Sequence, residues 1–282
     1  MKGTKTAFPY TLWMVIFIIV PLILVAGFAL TGQVTAEGGA DGETVTVITL
    51  ENISRVGQFA PVLLRSVHLA AVATVICLVI CYPIAYIISR GGSIHKRTLL
   101  MLIILPMWMN FLLRTYAWMT LLENNGLINR FFGLFGIGPF SMINTGGAVI
   151  LGMVYNFMPF MILPLYAVMT KIDVTTLEAA RDLGADGMGV FTKVILPMSV
   201  PGIKTGITMV FVPAVSTFII SRMLGGGGFL LIGDLIDLQF LGNAYNPHLG
   251  AAISLFLMVI ILLCMSIFNQ FGSEEEMEGA LL

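Results

Sequence analysis

The chain has 282 residues, of which 58% are hydrophobic and 10% are charged, and its formal net charge is −1. Soluble domains carry roughly 25% charged residues, so a chain this apolar cannot present its surface to water and must use lipid as its solvent. The near-neutral charge and the lack of a basic patch exclude nucleic acid as an expected partner.

Six apolar stretches are long enough to cross a bilayer, which takes about 20 residues of helix. We therefore expect an all-α, polytopic membrane protein in which residues 1–282 form a single transmembrane domain. Val34-Thr35-Ala36 resembles a signal-peptide cleavage site, but the first apolar run is too long for a signal peptide, so we expect that helix to be retained. The expected spans lie near residues 8–30, 61–89, 98–122, 146–170, 203–221 and 247–268.

Lysine and arginine residues in short loops predict the orientation in the membrane, because they are enriched on the cytoplasmic side. The opposite loops hold only Arg55, Arg130 and Arg222. We therefore expect both termini and the loops after the second and fourth spans to be cytoplasmic. On the outer side, Thr44 to Leu50 alternates like a short strand. The cytoplasmic set is Lys2, Lys5, Arg90, Lys96, Arg97, Lys171, Arg181, Lys193 and Lys204.

The loop after the fourth span, residues 171–202, carries the signals of two short helices outside the membrane. Asp173 is a plausible N-cap of a helix that runs to Leu183, and Gly184 fits the left-handed position that ends such a helix. Asp186 is placed to cap a second short helix, which Pro197 follows.

Small side chains give the first of these helices a low surface that another protein can approach closely. Ala179 and Ala180 supply that surface, and Glu178 and Arg181 offer charged contacts beside it. The alternative is an ordinary connecting hairpin without a partner.

The third span contains polar and aromatic residues that are candidates for a translocation path, because ionisable groups within a membrane are costly and mark functional sites. Asn110 and Arg114 are one helical turn apart, so we expect them to share one face that points into the bundle or a water-filled path. The alternative, given equal weight, is that Arg114 has a structural role and pairs with a carboxylate or with carbonyl groups of a neighbouring helix. The other candidates on this run are Trp108, Tyr116, Trp118 and Glu123.

Two carboxylates lie between the fifth and sixth spans on the expected outer side. Asp234 and Asp237 are three residues apart, hence on one helical face. Near a pore mouth they would attract a cation and disfavour an anion, and nearby aromatic rings would add cation–π contacts. The alternative for both is a solvated outer loop.

The loop at residues 171–202 resembles the EAA motif of binding-protein-dependent ABC import permeases. Glu178-Ala179-Ala180, Gly184 and Ile195-Leu196-Pro197 stand at the spacing of that motif. The run from Trp108 to Tyr116 and the run from Leu230 to Phe240 are similar to the permeases of spermidine/putrescine importers, and this similarity extends over nearly the whole chain.

The resemblance implies the type I ABC importer permease (MetI-like) fold and a transport role for polyamines. It implies that the loop inserts into a groove of an ATPase, with Glu178 and Gly184 as the first contacts that matter. It also implies four kinds of partner: a second, homologous permease subunit, two ATPase subunits, an extracytoplasmic polyamine-binding protein and membrane lipid.

Nucleotide chemistry is expected to lie outside this chain. No Gly-x4-Gly-Lys-Ser/Thr loop occurs, and the run Gly225–Gly228 is followed by Phe229, so we expect a flexible turn there. ATP and Mg would then be bound by the partner ATPase, and this chain would bind no cofactor.

Three other classes of function remain to be weighed. An importer permease for another small solute keeps the same loop and changes only the cargo. A self-contained channel or secondary carrier would not need such a loop. An intramembrane enzyme is disfavoured because no catalytic or metal-binding constellation is present. The residues considered for such a constellation are His68, His95, His248, Cys77, Cys81 and Cys264.

Overall fold

The computed structural model describes residues 10, 12–35, 44–242 and 245–270. Lys2, Lys5, Ala36 and both chain ends lie outside the described residues. The described part is mostly helical, with one two-stranded antiparallel sheet. Its elements are α1 (Leu12–Ala29), β1 (Thr31–Thr35), β2 (Thr44–Ile48), α2 (Glu51–Arg90), α3 (Ser93–Ile104), α4 (Phe111–Leu122), α5 (Leu127–Gly133), α6 (Gly146–Met169), α7 (Val174–Asp182), α8 (Gly187–Ser216), α9 (Ile219–Leu224), α10 (Ile232–Leu241) and α11 (Pro247–Gln270).

Five of the described helices are long and apolar enough to cross a membrane, namely α1, α2, α6, α8 and α11. The structure divides the predicted third span, residues 98–122, between α3 and α4. A 3₁₀ turn at Leu105–Trp108 follows α3, and the chain bends by 95° before α4 begins. The number of candidate spans is six if this bent pair counts as one. The bend occurs where Met109 takes an extended backbone, which no helix continues.

The fifth span also differs from the prediction of residues 203–221. Its helix begins at Gly187, in the segment expected to lie outside the membrane, and continues to Ser216. The expected end of the second short helix before Pro197 is therefore wrong. Pro197 lies in the first turn after a π-helical stretch at Phe191–Ile195, where the missing amide of a proline costs little.

The chain forms two compact units. The first comprises the chain up to Leu63 together with Leu235–Leu262, within the described residues. In it, β1 and β2 pair in register from Thr31 opposite Ile48 to Thr35 opposite Thr44, which confirms the predicted strand and adds a partner strand. Asn52 is buried and donates to the Thr31 carbonyl oxygen at 2.8 Å, which fixes the hairpin on the start of α2.

The second unit comprises Leu64–Asp234 and, as far as the structure describes the chain, the residues from Leu263 to Gln270. Its main packing is α6 against α8, and glycines allow the two backbones to come close. A Cβ atom on Gly202 would lie 3.0 Å from the Pro164 carbonyl oxygen, and one on Gly206 would lie 2.6 Å from the Met161 sulfur. These helices therefore pack too tightly to slide past each other without repacking.

Helix α2 packs against both of these helices within the second unit. The Cys77 thiol donates to the Val154 carbonyl oxygen of α6 at 3.5 Å, and the Tyr82 and Ser199 hydroxyls are 2.8 Å apart across the contact with α8. Cys77 and Cys81 are fully buried, whereas Cys264 is partly exposed.

Candidate functional site

After α6 the chain forms the short helix α7 and then a tight turn, as predicted, and this turn leads into the start of α8. The Asp173 carboxylate accepts from the Thr175 amide at 3.4 Å, and the Asp186 carboxylate accepts from the Gly189 amide at 2.8 Å. Gly184 has φ +87°, the left-handed conformation that ends α7. Local sequence signals alone therefore account for the shape of this segment. We call residues 171–202 the coupling segment.

The coupling segment has a small hydrophobic core of its own. Ile172, Leu177, Val190 and Ile195 are buried together. The side chains packed against this core are Tyr86, Ala180, Ala185, Phe191 and Val194. Because Tyr86 belongs to α2 and Ile195 to α8, the core ties α7 to two long helices. A displacement of α7 would therefore be passed to both of them.

Arg90, at the end of α2, adds a polar link to the same place. Its Nη1 atom donates to the Ile172 carbonyl oxygen at 3.1 Å, and its guanidinium lies over the Tyr86 ring at 5.7 Å from the centroid. The sequence placed Arg90 on the cytoplasmic side by charge alone and gave no signal of this contact.

Most of the predicted partner-binding residues of the coupling segment are exposed. Ala180 is half-buried because it also packs on the core. The exposed set is Glu178, Ala179, Arg181, Gly184 and Pro197. The surface is therefore open to a partner along α7.

Two exposed apolar side chains beside the turn were missed in the sequence. Leu183 is 90% exposed and Met188 is 67% exposed. Leu183 directly precedes Gly184, which has a positive φ. Leu183 does not lie on the face of α7 that carries the buried Leu177 and packs on the core. This leucine beside the turn could have predicted an interaction surface from sequence, because an exposed apolar side chain at a tight turn is typical of such a surface.

The predicted shared face of Asn110 and Arg114 is wrong. Asn110 precedes α4 and is exposed, and its side-chain oxygen accepts from the Leu112 amide at 2.8 Å. Its side chain thus caps the helix that begins after the bend. Arg114, in the first turn of α4, is instead buried at 9% exposure.

The remaining candidates of the third span do not converge with Arg114. Trp108 is 86% exposed at the bend and Tyr116 is 53% exposed. Trp118 is half-buried and packs edge-on against Tyr155 of α6, with ring centroids 5.3 Å apart. Glu123 is exposed at the end of α4. A path lined by all of these side chains stays a prediction.

Asp234 is 2% exposed, so the solvated-loop alternative is wrong for this residue. Its carboxylate accepts from the Ser221 hydroxyl at 2.5 Å and from the Leu231 amide at 3.0 Å, with the Arg222 Nε atom at 3.8 Å. These contacts fix the start of α10 against α9. Asp237, one turn further along α10, is half-buried.

The glycine run after α9 forms the predicted turn. Gly226 and Gly227 have φ values of +58° and +76°. A Cβ atom on Gly226 would collide with the Asn144 side chain, and the backbone amide of Asn144 donates to the Leu224 carbonyl oxygen at 2.9 Å. This turn therefore packs against the start of α6. It lacks the lysine that contacts phosphate in a nucleotide-binding loop.

Comparison with known proteins places these features in a family. The family model of the binding-protein-dependent transport system inner membrane component matches residues 82–272, a range that contains the whole coupling segment and α4.

Curated relatives match over most of the chain. It is 37% identical over 261 residues to the spermidine/putrescine transport system permease protein PotB of Salmonella typhimurium (strain SL1344), covering 91% of this chain and 88% of the relative. It is 36% identical over 261 residues to PotB of Escherichia coli (strain K12), covering 91% and 92%.

Solved structures share the fold at low identity. A bacterial alginate ABC transporter in complex with an alginate pentasaccharide-bound periplasmic protein matches with TM-score 0.76 and 16% identity, over 94% of this chain and 92% of that chain. The MetNI methionine ABC transporter, in inward-facing conformations, matches with TM-score 0.56 and 18% identity, over 77% and 95%.

Proposed function

This chain belongs to the binding-protein-dependent transport system inner membrane component family, and from that premise we propose that it forms half of the translocation path of an ATP-driven polyamine importer. Its PotB relatives, which are spermidine/putrescine permeases by name, support the cargo class. The chain would work with a second homologous permease, two ATPase subunits and an extracytoplasmic polyamine-binding protein. It would be a transport subunit that binds no ATP or Mg itself.

The observation that carries the proposal is the coupling segment with its own buried core. Leu177 lies in that core while Glu178 and Ala179 on the same helix are exposed. A partner that pushes on the exposed side therefore acts on a rigid body. An ordinary connecting hairpin needs no such core, because it passes no motion from a partner to the membrane helices.

Helix α8 runs from the coupling segment into the membrane. It has 30 residues, so it is about 45 Å long, whereas the hydrocarbon core is about 30 Å thick. The excess of about 15 Å, or about ten residues counted from Gly187, lies within the coupling segment. Closure of an ATPase dimer would move α7, and the shared core would pass that motion to α8 and α2 as a rigid-body shift.

Orientation is part of the same proposal. The coupling segment and both termini would face the cytoplasm, in line with the lysine and arginine distribution. The hairpin of β1 and β2 would then face the outside, where a binding protein delivers its cargo.

The test is uptake of radiolabelled spermidine into vesicles that contain the chain with both kinds of partner subunit and the binding protein. Uptake should require ATP and the binding protein, and Glu178→Lys should stop uptake while the protein still inserts in the membrane. ATP-independent uptake by the chain alone would favour a self-contained carrier. Competition by an unrelated solute and not by polyamines would favour another cargo.

A further inference from the structure

The chain between α4 and α6 folds into a compact projection that the Asn129 side chain holds together. Asn129 is buried, and its Nδ2 atom donates to the Glu123 carbonyl oxygen at 3.2 Å and to the Phe140 carbonyl oxygen at 2.9 Å. Its Oδ1 atom accepts from the Phe140 amide at 2.9 Å. These hydrogen bonds fix the chain that follows α5 against the end of α4. We call residues 127–140 the aromatic projection.

One face of the aromatic projection is exposed and apolar. Leu127, Phe131 and Leu134 recur at the spacing of a single helical face, and their side chains are 66%, 59% and 81% exposed. The Phe135 ring continues this face, because it is exposed and packs edge-on against Phe131 with ring centroids 5.4 Å apart. The buried Asn129 lies on the opposite side of the helix. The fold therefore turns the polar side of α5 inward and the apolar side outward.

Chain connectivity places the aromatic projection close to one surface of the membrane. Helix α6 has 24 residues and is about 36 Å long, whereas the hydrocarbon core is about 30 Å thick, so Gly146 at its start lies near a membrane surface. Phe140 precedes Gly146 by six residues, which span at most about 21 Å. The other end of α6 leads into the coupling segment. The aromatic projection thus belongs to the membrane surface opposite the coupling segment.

Phospholipid fits this face better than a protein that docks and leaves. Transient protein interfaces are only about 56–58% apolar, like the rest of a protein surface, whereas the centre of this face holds no polar side chain. Arg130 stands at the edge of the face, is exposed and takes no part in the ion pairs of the described residues. Its long side chain can lie along apolar groups and reach a lipid phosphate. Phenylalanine and leucine on one face with arginine beside them are typical of helices that lie in the membrane interface.

We propose that the aromatic projection is an interfacial anchor, whose exposed apolar face is immersed in the lipid leaflet opposite the coupling segment. Because Asn129 ties the anchor to the end of α4, and α6 follows it closely, the anchor holds these two helix ends at a constant height in the membrane. The coupling segment moves at the other surface. This assignment goes beyond the proposed function, since it holds for any cargo.

The experiment places a nitroxide spin label on single cysteines of the assembled complex in phospholipid vesicles. Cys264→Ser removes the partly exposed native thiol, while Cys77 and Cys81 are fully buried and stay. A label at Phe131→Cys should collide with oxygen, which concentrates in lipid, and lose its collisions with a water-soluble nickel chelate, at a depth of about 5–10 Å. Asn125→Cys, exposed in the turn before α5, is the matched control and should collide with the chelate.

The same measurement separates lipid from the other possible occupants of the face. If the second permease or the binding protein covers it, the label at Phe131→Cys is immobilised and collides with neither reagent. If the face lies in water, the label collides with the chelate as often as the control. Either result overturns the inference, and Leu134→Cys repeats the test at a second position of the face. Spermidine uptake by the same vesicles reports on the proposed function separately, because the depth of the label does not depend on the cargo.

Discussion

The Arg90 guanidinium donates to the Ile172 carbonyl oxygen at 3.1 Å, and so joins the end of α2 to the loop that precedes α7. The contact bridges 82 positions of sequence. In the proposed importer it stands on the route from the ATPase-facing surface to the membrane helices, alongside the core of the coupling segment.

Removing that contact should separate ATP hydrolysis from transport. Arg90→Met keeps an unbranched side chain over Tyr86 but loses the donor, at a local cost of about 1.5–3 kcal/mol. We expect ATP hydrolysis by the complex to persist while spermidine taken up per ATP falls. The measurement is the ratio of the two rates in vesicles. Arg97→Met, at an exposed position of α3, is the control, and an unchanged ratio in Arg90→Met would assign Arg90 to local stability alone.

A substitution at Gly184 tests the turn by backbone strain alone. No atom lies within 4 Å of the place where its Cβ would stand, so Gly184→Ala meets no clash, but φ +87° costs an alanine about 1 kcal/mol. Hydrogen exchange should become faster at the Ala185 amide, which donates to Ala180 at 3.1 Å. Gly187→Ala, also in open space but without a positive φ, should leave that exchange unchanged. Equal exchange in both variants would contradict the strained-turn account.

Leu183 offers a test of the partner surface that does not disturb the fold. Because this side chain is 90% exposed, Leu183→Ser should leave the thermal stability of the isolated chain unchanged. If an ATPase groove covers it, burial of about 1.5 kcal/mol is lost and the ATPase binds about tenfold more weakly. Titration of the ATPase subunit onto the permeases in detergent measures this. Leu134→Ser, 81% exposed elsewhere, is the control; equal affinities for all three proteins would remove Leu183 from the interface.

The two acidic residues of α10 should respond differently to removal. Asp234→Ala leaves the Ser221 hydroxyl and the Leu231 amide without their acceptor, so the folded state should lose about 1–3 kcal/mol. Asp237→Ala should lower the apparent affinity for polyamine uptake, because we expect Asp237 to attract the cation. Melting curves and uptake kinetics of the two variants decide this. An Asp237→Ala protein with normal uptake would return Asp237 to a role outside transport.

The coupling segment was largely predictable from sequence because its shape depends on near neighbours. Asp173, Gly184 and Asp186 each act within three or four residues, through caps and a left-handed turn. Leu183 carried a signal of the same local kind, an apolar residue outside the buried stripe.

The features that sequence reasoning missed depend on distant residues. Apolar runs look alike whether the helix is straight or broken, so the 95° bend before α4 left no periodicity to detect. The contact between Arg90 and Ile172 and the burial of Asp234 by Ser221 arise from packing between separate helices. Asn110 was misread for a different reason: its bond to the Leu112 amide is local, but the apolar run predicted Asn110 inside a span, whereas it is the cap of a helix that begins there.

The most direct test of the central claim is labelling of Ala179→Cys, at an exposed position of α7, with a membrane-impermeant maleimide. In a complex that has its ATPase subunits, this thiol should be protected. After the ATPase is stripped from inside-out vesicles it should be labelled, whereas Arg97→Cys should be labelled in both preparations. Labelling of Ala179→Cys from the outside, or labelling that the ATPase does not affect, would contradict the assignment of the coupling segment as the surface on which the ATPase acts.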